Sequence, residues 1–232
     1  MCGIAGFCNW KTDWEKNIRK MNDRMRHRGP DASGIWASED GSVVFGHQRL
    51  SIVDLSENGA QPMQSHSGRF EIAFNGEIYN YKQIAKRLLD EKKVDHFRGG
   101  SDTEVLLEAM EHYGVKEAIS MCKGMFAIAL YDRRSDEVFL VRDRIGKKPL
   151  YYWIEGGNLS TAALCLPRIS VPLPRWTDSK MESIRMSWIF TLYMVIYRRL
   201  ILFMRTSGSW SRAAFLRCVS PLQSRSLRLI GP

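Results

Sequence analysis

The chain has 232 residues, 44% of them apolar, which is typical of a globular protein with a core of its own. Its net charge of +9 is unevenly distributed: residues 1–159 hold 23 basic and 23 acidic side chains, whereas residues 160–232 hold 11 and two. Because the excess is confined to the C-terminal segment, the composition argues against a nucleic-acid-binding protein. No apolar run approaches the roughly 18 residues of a membrane span, and the N-terminus lacks a basic-then-apolar pattern, so we expect neither a membrane span nor a signal peptide.

The cysteines and histidines argue against metal and disulfide sites. The five cysteines form an odd set without a Cys-x-x-Cys pair, which predicts a reducing, cytoplasmic location. No acid or thiol stands at metal-ligand spacing from His27, so we expect no metal site. The basic stretch 142–148 is interpreted as a solvated loop.

The pattern of apolar residues predicts an α+β fold. Apolar positions spaced by four, three and four residues predict an amphipathic helix near the N-terminus, and Ser101 with Glu104 predicts a capping box at the start of a later one. In chain order, the predicted elements are strand 2–10, helix 14–26, loop 27–31, a hairpin of 34–38 and 43–50, strand 70–75 ending at Gly76, helices 80–92, 102–113 and 115–122, strand 124–131, turn 132–136, and strands 137–142 and 150–155.

Cys2 is the first candidate for chemistry. If Met1 is trimmed, Cys2 carries a free α-amine, whose pKa of about 7.7–8.0 suits it to accept the proton of the thiol. One residue would then supply both nucleophile and base. The alternative is that Cys2 is a small buried apolar residue.

Asn75, Gly76 and Glu77 follow a predicted strand. A tetrahedral intermediate of acyl transfer needs two hydrogen-bond donors, and an Asn amide beside a Gly backbone N–H can supply them. Glu77 could accept a hydrogen bond from a substrate ammonium. The alternative is an ordinary Asn-Gly turn.

Two further charged residues could bind a ligand. Arg49, at the start of the segment 49–54, could pair with a carboxylate in bidentate geometry, and Asp102 could lie near an amino group. The alternatives are a surface salt bridge for Arg49 and a helix N-terminal acid for Asp102. Together the candidates describe a pocket for a free α-amino acid with a reactive side-chain acyl group.

Several motifs in order resemble the glutaminase domain of glutamine-hydrolysing asparagine synthetases, class II amidotransferases of the N-terminal-nucleophile hydrolase fold. The resemblance covers about residues 2–159. Its motifs are MCGIAG (1–6), HRGPD (27–31), RLSIVD (49–54), FNGEIYN (74–80), SDTE (101–104), RDRIG (142–146) and PLYY (149–152).

The resemblance implies a four-layer αββα sandwich and a role for each candidate. Because the resemblance stops near residue 159, we expect the sandwich to be incomplete at its C-terminal end. Cys2 would be the nucleophile, and Asn75 with Gly76 the oxyanion hole. Glutamine would be the substrate, hydrolysed through a glutamyl thioester. The residues implied to bind it are Arg49, Leu50, Ser51, Ile52, Val53, Asn75, Gly76, Glu77 and Asp102.

Full-length members of this family carry a second domain that amidates aspartate. ATP and magnesium would serve only that domain, so we expect no cofactor in this chain, which contains no Ser-Gly-Gly-x-Asp-Ser nucleotide loop. The resemblance also implies a homodimer.

Residues 160–232 do not resemble the family. The favoured interpretation is a shifted reading frame from about residue 160, and the alternative is a basic tail that binds a partner or a membrane surface. Three functional hypotheses follow. The chain is a glutaminase domain without its synthetase half, a non-catalytic remnant with an interaction tail, or an amidotransferase that serves another acceptor.

Overall fold

The computed structural model describes residues 2–8, 13–51, 56–155, 158–163 and four short strands beyond them, with side chains up to residue 150. The helices are α1 (Trp14–Met25), α2 (Tyr81–Asp90), α3 (Asp102–Tyr113) and α4 (Val115–Met121), with 3-10 turns at Arg26–Arg28 and Glu57–Gly59. The strands are β1 (Gly3–Cys8), β2 (Ala32–Ala37), β3 (Val43–Arg49), β4 (Met63–Gln64), β5 (Phe70–Ile78), β6 (Gly124–Asp132), β7 (Glu137–Arg142), β8 (Tyr151–Glu155), β9 (Asn158–Ala163), β10 (Glu182–Ser183), β11 (Val195–Ile196), β12 (Ala214–Val219) and β13 (Arg228–Ile230).

The described strands form two large antiparallel sheets. The first has the order β2-β3-β1-β9-β8, so the N-terminal strand lies at its centre. The second has the order β13-β12-β7-β6-β5-β4. Strands β10 and β11 pair only with each other within the described backbone.

The alternation of side chains along the strands creates four layers. Ala5 and Phe7 of β1 pack against α1, whereas Ile4 and Cys8 pack against the second sheet. The opposite face of the second sheet, which includes Phe70, packs against the remaining helices. Each fully buried apolar side chain contributes roughly 1.5–3 kcal/mol, and neither sheet has a wholly solvated face. The predicted αββα sandwich is confirmed.

The start of α3 confirms one half of the predicted capping box. The Ser101 hydroxyl accepts a hydrogen bond from the Glu104 amide at 3.2 Å. The other half is wrong, because the Glu104 carboxylate accepts hydrogen bonds from the amides of Arg98 and Gly99, at 2.7 and 2.9 Å. The loop before α3 turns over the first helical turn and brings its own amides to this carboxylate.

Two predictions are corrected, one about the end of a strand and one about a loop. Strand β5 does not end at Gly76 but continues to Ile78, because β6 remains paired with it as far as Gly124. The stretch 142–148 is not a solvated loop. The Asp143 carboxylate is buried and accepts hydrogen bonds from four backbone amides, those of Phe126, Ile145, Lys147 and Lys148.

The segment beyond residue 159 contributes backbone strands to both sheets. Strand β9 crosses the predicted domain boundary and pairs with β1, while β12 pairs with β7. The boundary itself, the shifted frame and the incompleteness of the sandwich stay predictions.

Candidate functional site

Cys2 lies immediately before β1, at the end of the central strand of the first sheet. Its thiol contacts one residue across the strand pair, accepting a hydrogen bond from the Leu50 amide at 3.4 Å and donating to the Leu50 carbonyl at 3.7 Å. Cys2 is partly buried. The register pairs Gly3 with Gln48, so Cys2 lies opposite Arg49 at the end of β3.

Arg49 and the residues after it are held by the loop 27–31. The Asp31 amide donates to the Arg49 carbonyl at 3.1 Å, and the Asp31 carboxylate accepts from the Ser51 amide at 2.7 Å. Arg49 is 9% exposed, and its guanidinium donates to the Ser56 carbonyl at 2.8 Å. The loop thus orders the segment beside Cys2. Ile52 and Val53, also predicted to line the pocket, lie outside the described residues.

Cys2 and Arg49 face the second sheet. Residues opposite each other in antiparallel strands share a face, so Cys2 and Arg49 lie on the same side as Ile4 and His47. Ile4 packs against the second sheet. His47 confirms the direction, since its Nε2 lies 3.1 Å from the Phe74 carbonyl oxygen of β5.

Asn75 is on the inner face of the second sheet, one residue beyond this inter-sheet contact. Its cross-strand partner is Ala127, which packs in the cluster between the sheets. Asn75 is 1% exposed, and its Nδ2 makes no hydrogen bond within the part of the chain that the structure describes. A buried amide donor without a partner is costly, which points to a ligand atom that completes it.

Gly76 brings a backbone donor next to that amide. Phe126, opposite Gly76, directs its carbonyl toward Asp143 rather than toward β5. The pair is therefore one of the non-hydrogen-bonded pairs of the ladder, and the Gly76 N–H points to the outer edge of β5. A Cβ at Gly76 would lie 2.2 Å from the Met125 carbonyl oxygen, so the close approach of β6 requires glycine here.

Glu77 and Asp102 form an acidic pair beside these donors. Glu77 is exposed, and Asp102 is 5% exposed with its Oδ2 accepting from the Ile78 amide at 2.8 Å. Burial raises the pKa of Asp102, and the nearby negative charge of Glu77 raises it further. Two carboxylates that repel each other in this way are suited to share a cationic group.

The sequence did not identify His47 or Gln61 as candidates. His47 is fully buried, and this burial lowers its pKa to about 4, so the imidazole is neutral at pH 7. The alternation from Val43 through Phe45 places His47 on the inward face, but nothing in the pattern indicates which group it meets. Gln61 accepts a hydrogen bond from the Phe74 amide at 2.7 Å.

Cys2 and Arg49 of the first sheet and Asn75 of the second thus lie on inward faces, next to the contact between His47 and Phe74. These residues and their neighbours offer a thiol, a buried amide donor next to a backbone N–H, a guanidinium and two carboxylates. Among the residues with described side chains, no group of three or more His, Cys, Asp or Glu could hold a metal ion. The described helices include none that is both long and apolar enough to span a membrane.

Comparison with known proteins identifies similar sequences. A family model described as a glutamine amidotransferase domain matches residues 1–168. The glutamine-hydrolyzing asparagine synthetase 1 of Bacillus subtilis is 43% identical over 157 residues, which cover 66% of this chain and 24% of that protein. Asparagine synthetase B of Escherichia coli is 40% identical over 167 residues (70% and 29%), and the amidase chry2 of Gibberella zeae is 41% identical over 174 residues (70% and 25%). The chain therefore spans 24–29% of the length of these relatives.

Two solved structures share the fold. The glutamine phosphoribosylpyrophosphate amidotransferase of Bacillus subtilis superposes with a TM-score of 0.59 at 22% identity, covering 69% of this chain and 41% of that chain. A second structure, described as an allosteric regulatory enzyme of purine biosynthesis, superposes with a TM-score of 0.57 at 23% identity (70% and 42%). These likenesses confirm the predicted fold.

Proposed function

The chain belongs to the family of glutamine amidotransferase domains, and from this premise we propose that it hydrolyses glutamine to glutamate and ammonia through a thioester on Cys2. The observation that supports the proposal most directly is the buried Asn75 amide. This amide has no partner among the described residues and lies on the face turned toward the sheet that carries Cys2. The Gly76 N–H next to it points to the outer edge of β5.

The first step forms the thioester. After removal of Met1, the free α-amine of Cys2 accepts the thiol proton, and the thiolate attacks the side-chain carbonyl carbon of glutamine. The negative charge that develops on the carbonyl oxygen is stabilised by Asn75 Nδ2 and the Gly76 N–H. Collapse of this intermediate breaks the C–N bond, and the proton held by the α-amine leaves with ammonia.

The second step regenerates the thiol. A water molecule attacks the thioester carbonyl, and the α-amine accepts its proton. The C–S bond then breaks to release glutamate, and the protonated α-amine returns this proton to the leaving thiolate. The same two donors stabilise the second oxyanion, so the loss of either one slows both steps. The site requires no redox change and no external co-reactant besides water.

The remaining residues bind the α-amino acid end of the substrate. The Arg49 guanidinium has five N–H donors, so its bond to Ser56 is compatible with a bidentate pair to the substrate carboxylate. Glu77 and Asp102 would bind the ammonium, with Asp102 oriented by its bond to Ile78. The backbone of Leu50 and Ser51, with Ile52 and Val53, would line the pocket.

The acceptor of the ammonia is a separate proposal. The similarity to asparagine synthetases favours aspartate as the acceptor in an ATP- and magnesium-dependent, ligase-type reaction, which would need a domain outside this chain. The cytoplasmic location and the homodimer also stay proposals, supported by the cysteine content and by the resemblance respectively.

Release of glutamate from glutamine by the purified chain tests the proposal. Intact mass first establishes that Met1 is removed. Cys2→Ala should abolish glutamate release, whereas Cys8→Ala should retain it, because Cys8 is a buried cysteine at the other end of β1 that packs in the core. Glutamate release that persists in Cys2→Ala would refute the thioester mechanism. A folded wild-type chain without any release would favour the non-catalytic alternative.

A further inference from the structure

The outer edge of β5 is the feature from which a further inference follows. Along this strand, the even-numbered residues direct their backbone groups away from β6, whereas Tyr79 bonds toward it, to the Lys123 carbonyl at 2.8 Å. Strand β4 covers the outer edge only as far as Ile72. The next three outward-directed residues are Phe74, Gly76 and Ile78, and the described strands provide no neighbour for them on that side.

Side chains bond to Phe74 on both of its backbone groups. Its N–H donates to Gln61 Oε1 at 2.7 Å, and Gln61 in turn donates from Nε2 to the Thr103 hydroxyl of α3 at 3.3 Å. Its carbonyl lies 3.1 Å from His47 Nε2. A carbonyl can only accept, so the neutral imidazole of His47 carries its hydrogen on Nε2. The Phe74 backbone is therefore bonded both to Gln61, which is itself bonded to α3, and to His47 of the first sheet.

Ile78 is held in a similar way on the other side of Gly76. Its N–H donates to Asp102 Oδ2 at 2.8 Å. The outward-directed N–H groups of Phe74 and Ile78, on either side of Gly76, thus each bond to one side-chain oxygen instead of to a neighbouring strand. The Gly76 N–H lies between them on the same edge. A neighbouring strand would pair with all three amides, whereas individual side chains leave the middle one available to a ligand.

We propose that His47 and Gln61 together, here called the Phe74 clamp, are positioning residues that hold the oxyanion hole in its reactive geometry. The inference rests on the proposed function. The clamp acts on the residue directly before Asn75, so it sets both the direction of the Asn75 amide and the position of the Gly76 N–H. A displacement of about 1 Å at a reacting group can cost about 10²-fold in rate, which makes such positioning measurable.

Two substitutions at Gln61 distinguish the effect of the clamp's hydrogen bonds from the effect of side-chain packing. Gln61→Glu keeps an oxygen that can accept from the Phe74 amide but loses the donor to Thr103, whereas Gln61→Met removes both with similar volume. We expect Gln61→Met to lower kcat for glutamine by about 10-fold or more with little change in KM, since oxyanion donors act mainly in the transition state. Gln61→Glu should stay within about threefold of the wild type. Equal kcat values for Gln61→Met and the wild type would overturn the proposal.

The same contrast in kcat is expected at His47, because His47→Gln retains an N–H donor for the Phe74 carbonyl and His47→Leu does not.

A double-mutant cycle then identifies the target of the clamp. In the Asn75→Ala background, His47→Leu and Gln61→Met should each cost less than in the wild type, because one of the two donors that they position is gone and only the Gly76 N–H is left to displace. Costs that simply multiply with that of Asn75→Ala would assign both residues to overall stability instead. Alkylation of Cys2 by iodoacetamide, a reaction without an oxyanion, should proceed at the wild-type rate in all clamp variants.

A measurement without turnover keeps the clamp testable on its own. Residue-resolved amide hydrogen exchange in the wild type should show slow exchange at Phe74 and Ile78 and faster exchange at Gly76. Gln61→Met should accelerate Phe74, while Gln61→Glu should not. If Phe74 exchange is unchanged by Gln61→Met, the clamp is refuted, whatever the activity. If the exchange pattern holds but wild-type and Cys2→Ala chains release glutamate equally, the proposed function fails and the clamp bonds remain.

Discussion

Replacing Asn75 by alanine should separate the activity of this protein from its stability. The Asn75 side chain is 1% exposed, and its Nδ2 has no hydrogen-bond partner among the residues described. A buried donor left unpaired costs about 1–3 kcal/mol, so its removal offsets the packing lost with the side chain. We expect the free energy of unfolding of Asn75→Ala to stay within about 1 kcal/mol of the wild type.

The same substitution should slow catalysis strongly. Loss of one oxyanion donor typically lowers kcat by about 10²–10³, equivalent to about 2.7–4 kcal/mol of transition-state stabilisation. The KM for glutamine should change little, because the donor acts on charge that develops only during the reaction. Steady-state glutamate release gives kcat and KM, and urea unfolding followed by fluorescence gives the stability.

Asn22 provides a matched control for this experiment. It is also a buried asparagine, and its Oδ1 makes no hydrogen bond among the described residues, but its Nδ2 donates to the Gly34 carbonyl at 2.9 Å and to the Ser33 hydroxyl at 3.3 Å. Asn22→Ala should therefore destabilise the chain by about 1–3 kcal/mol while the folded fraction keeps its kcat. If Asn75→Ala lowers stability as much as Asn22→Ala, the Asn75 amide is not an unpaired donor. If it raises KM at constant kcat, Asn75 binds the substrate rather than the oxyanion.

Other predictions concern the carboxylate partner, the glycine and a buried acid. Arg49→Ala should mainly raise the KM for glutamine, because a carboxylate contact acts in ground and transition states alike, and a fall in kcat alone would contradict this. Gly76→Ala should abolish glutamate release, since its Cβ would lie 2.2 Å from the Met125 carbonyl oxygen, whereas Gly100→Ala, with no atom within 4 Å, should be tolerated. Burial raises the pKa of Glu71 to about 7, and the charge of Arg133 opposes this shift. The folded protein is therefore stabilised by the protonated form of Glu71, and it loses this stability as the pH rises from about 4.5 through 7. Glu71→Gln should accordingly raise the melting temperature at pH 8 and leave it unchanged near pH 4, and equal shifts at both pH values would contradict this.

Local patterns predicted the helices and most strands of this protein. Apolar spacing placed the first helix within one residue of α1, and Ser101 marked the start of α3 as observed. Such features depend on neighbours within one or two turns, which a sequence displays directly. The sequence could not predict the end of β5, because Asn75-Gly76 has the composition of a turn and continues as a strand only through its pairing with β6.

For the site, the sequence alone was sufficient to nominate Cys2, Arg49, Asn75 and Asp102, because their chemical types occur in motifs that resemble a known family. It could not indicate that Asn75 lies on the inner face with an unpaired amide among the described residues, since this depends on the packing of two sheets. Nor could it reveal that His47 meets the Phe74 carbonyl, although strand alternation placed that side chain on the inward face. Alternation determines which face a residue occupies, but its contact across the sandwich depends on how the two sheets register, and only the tertiary structure decides that.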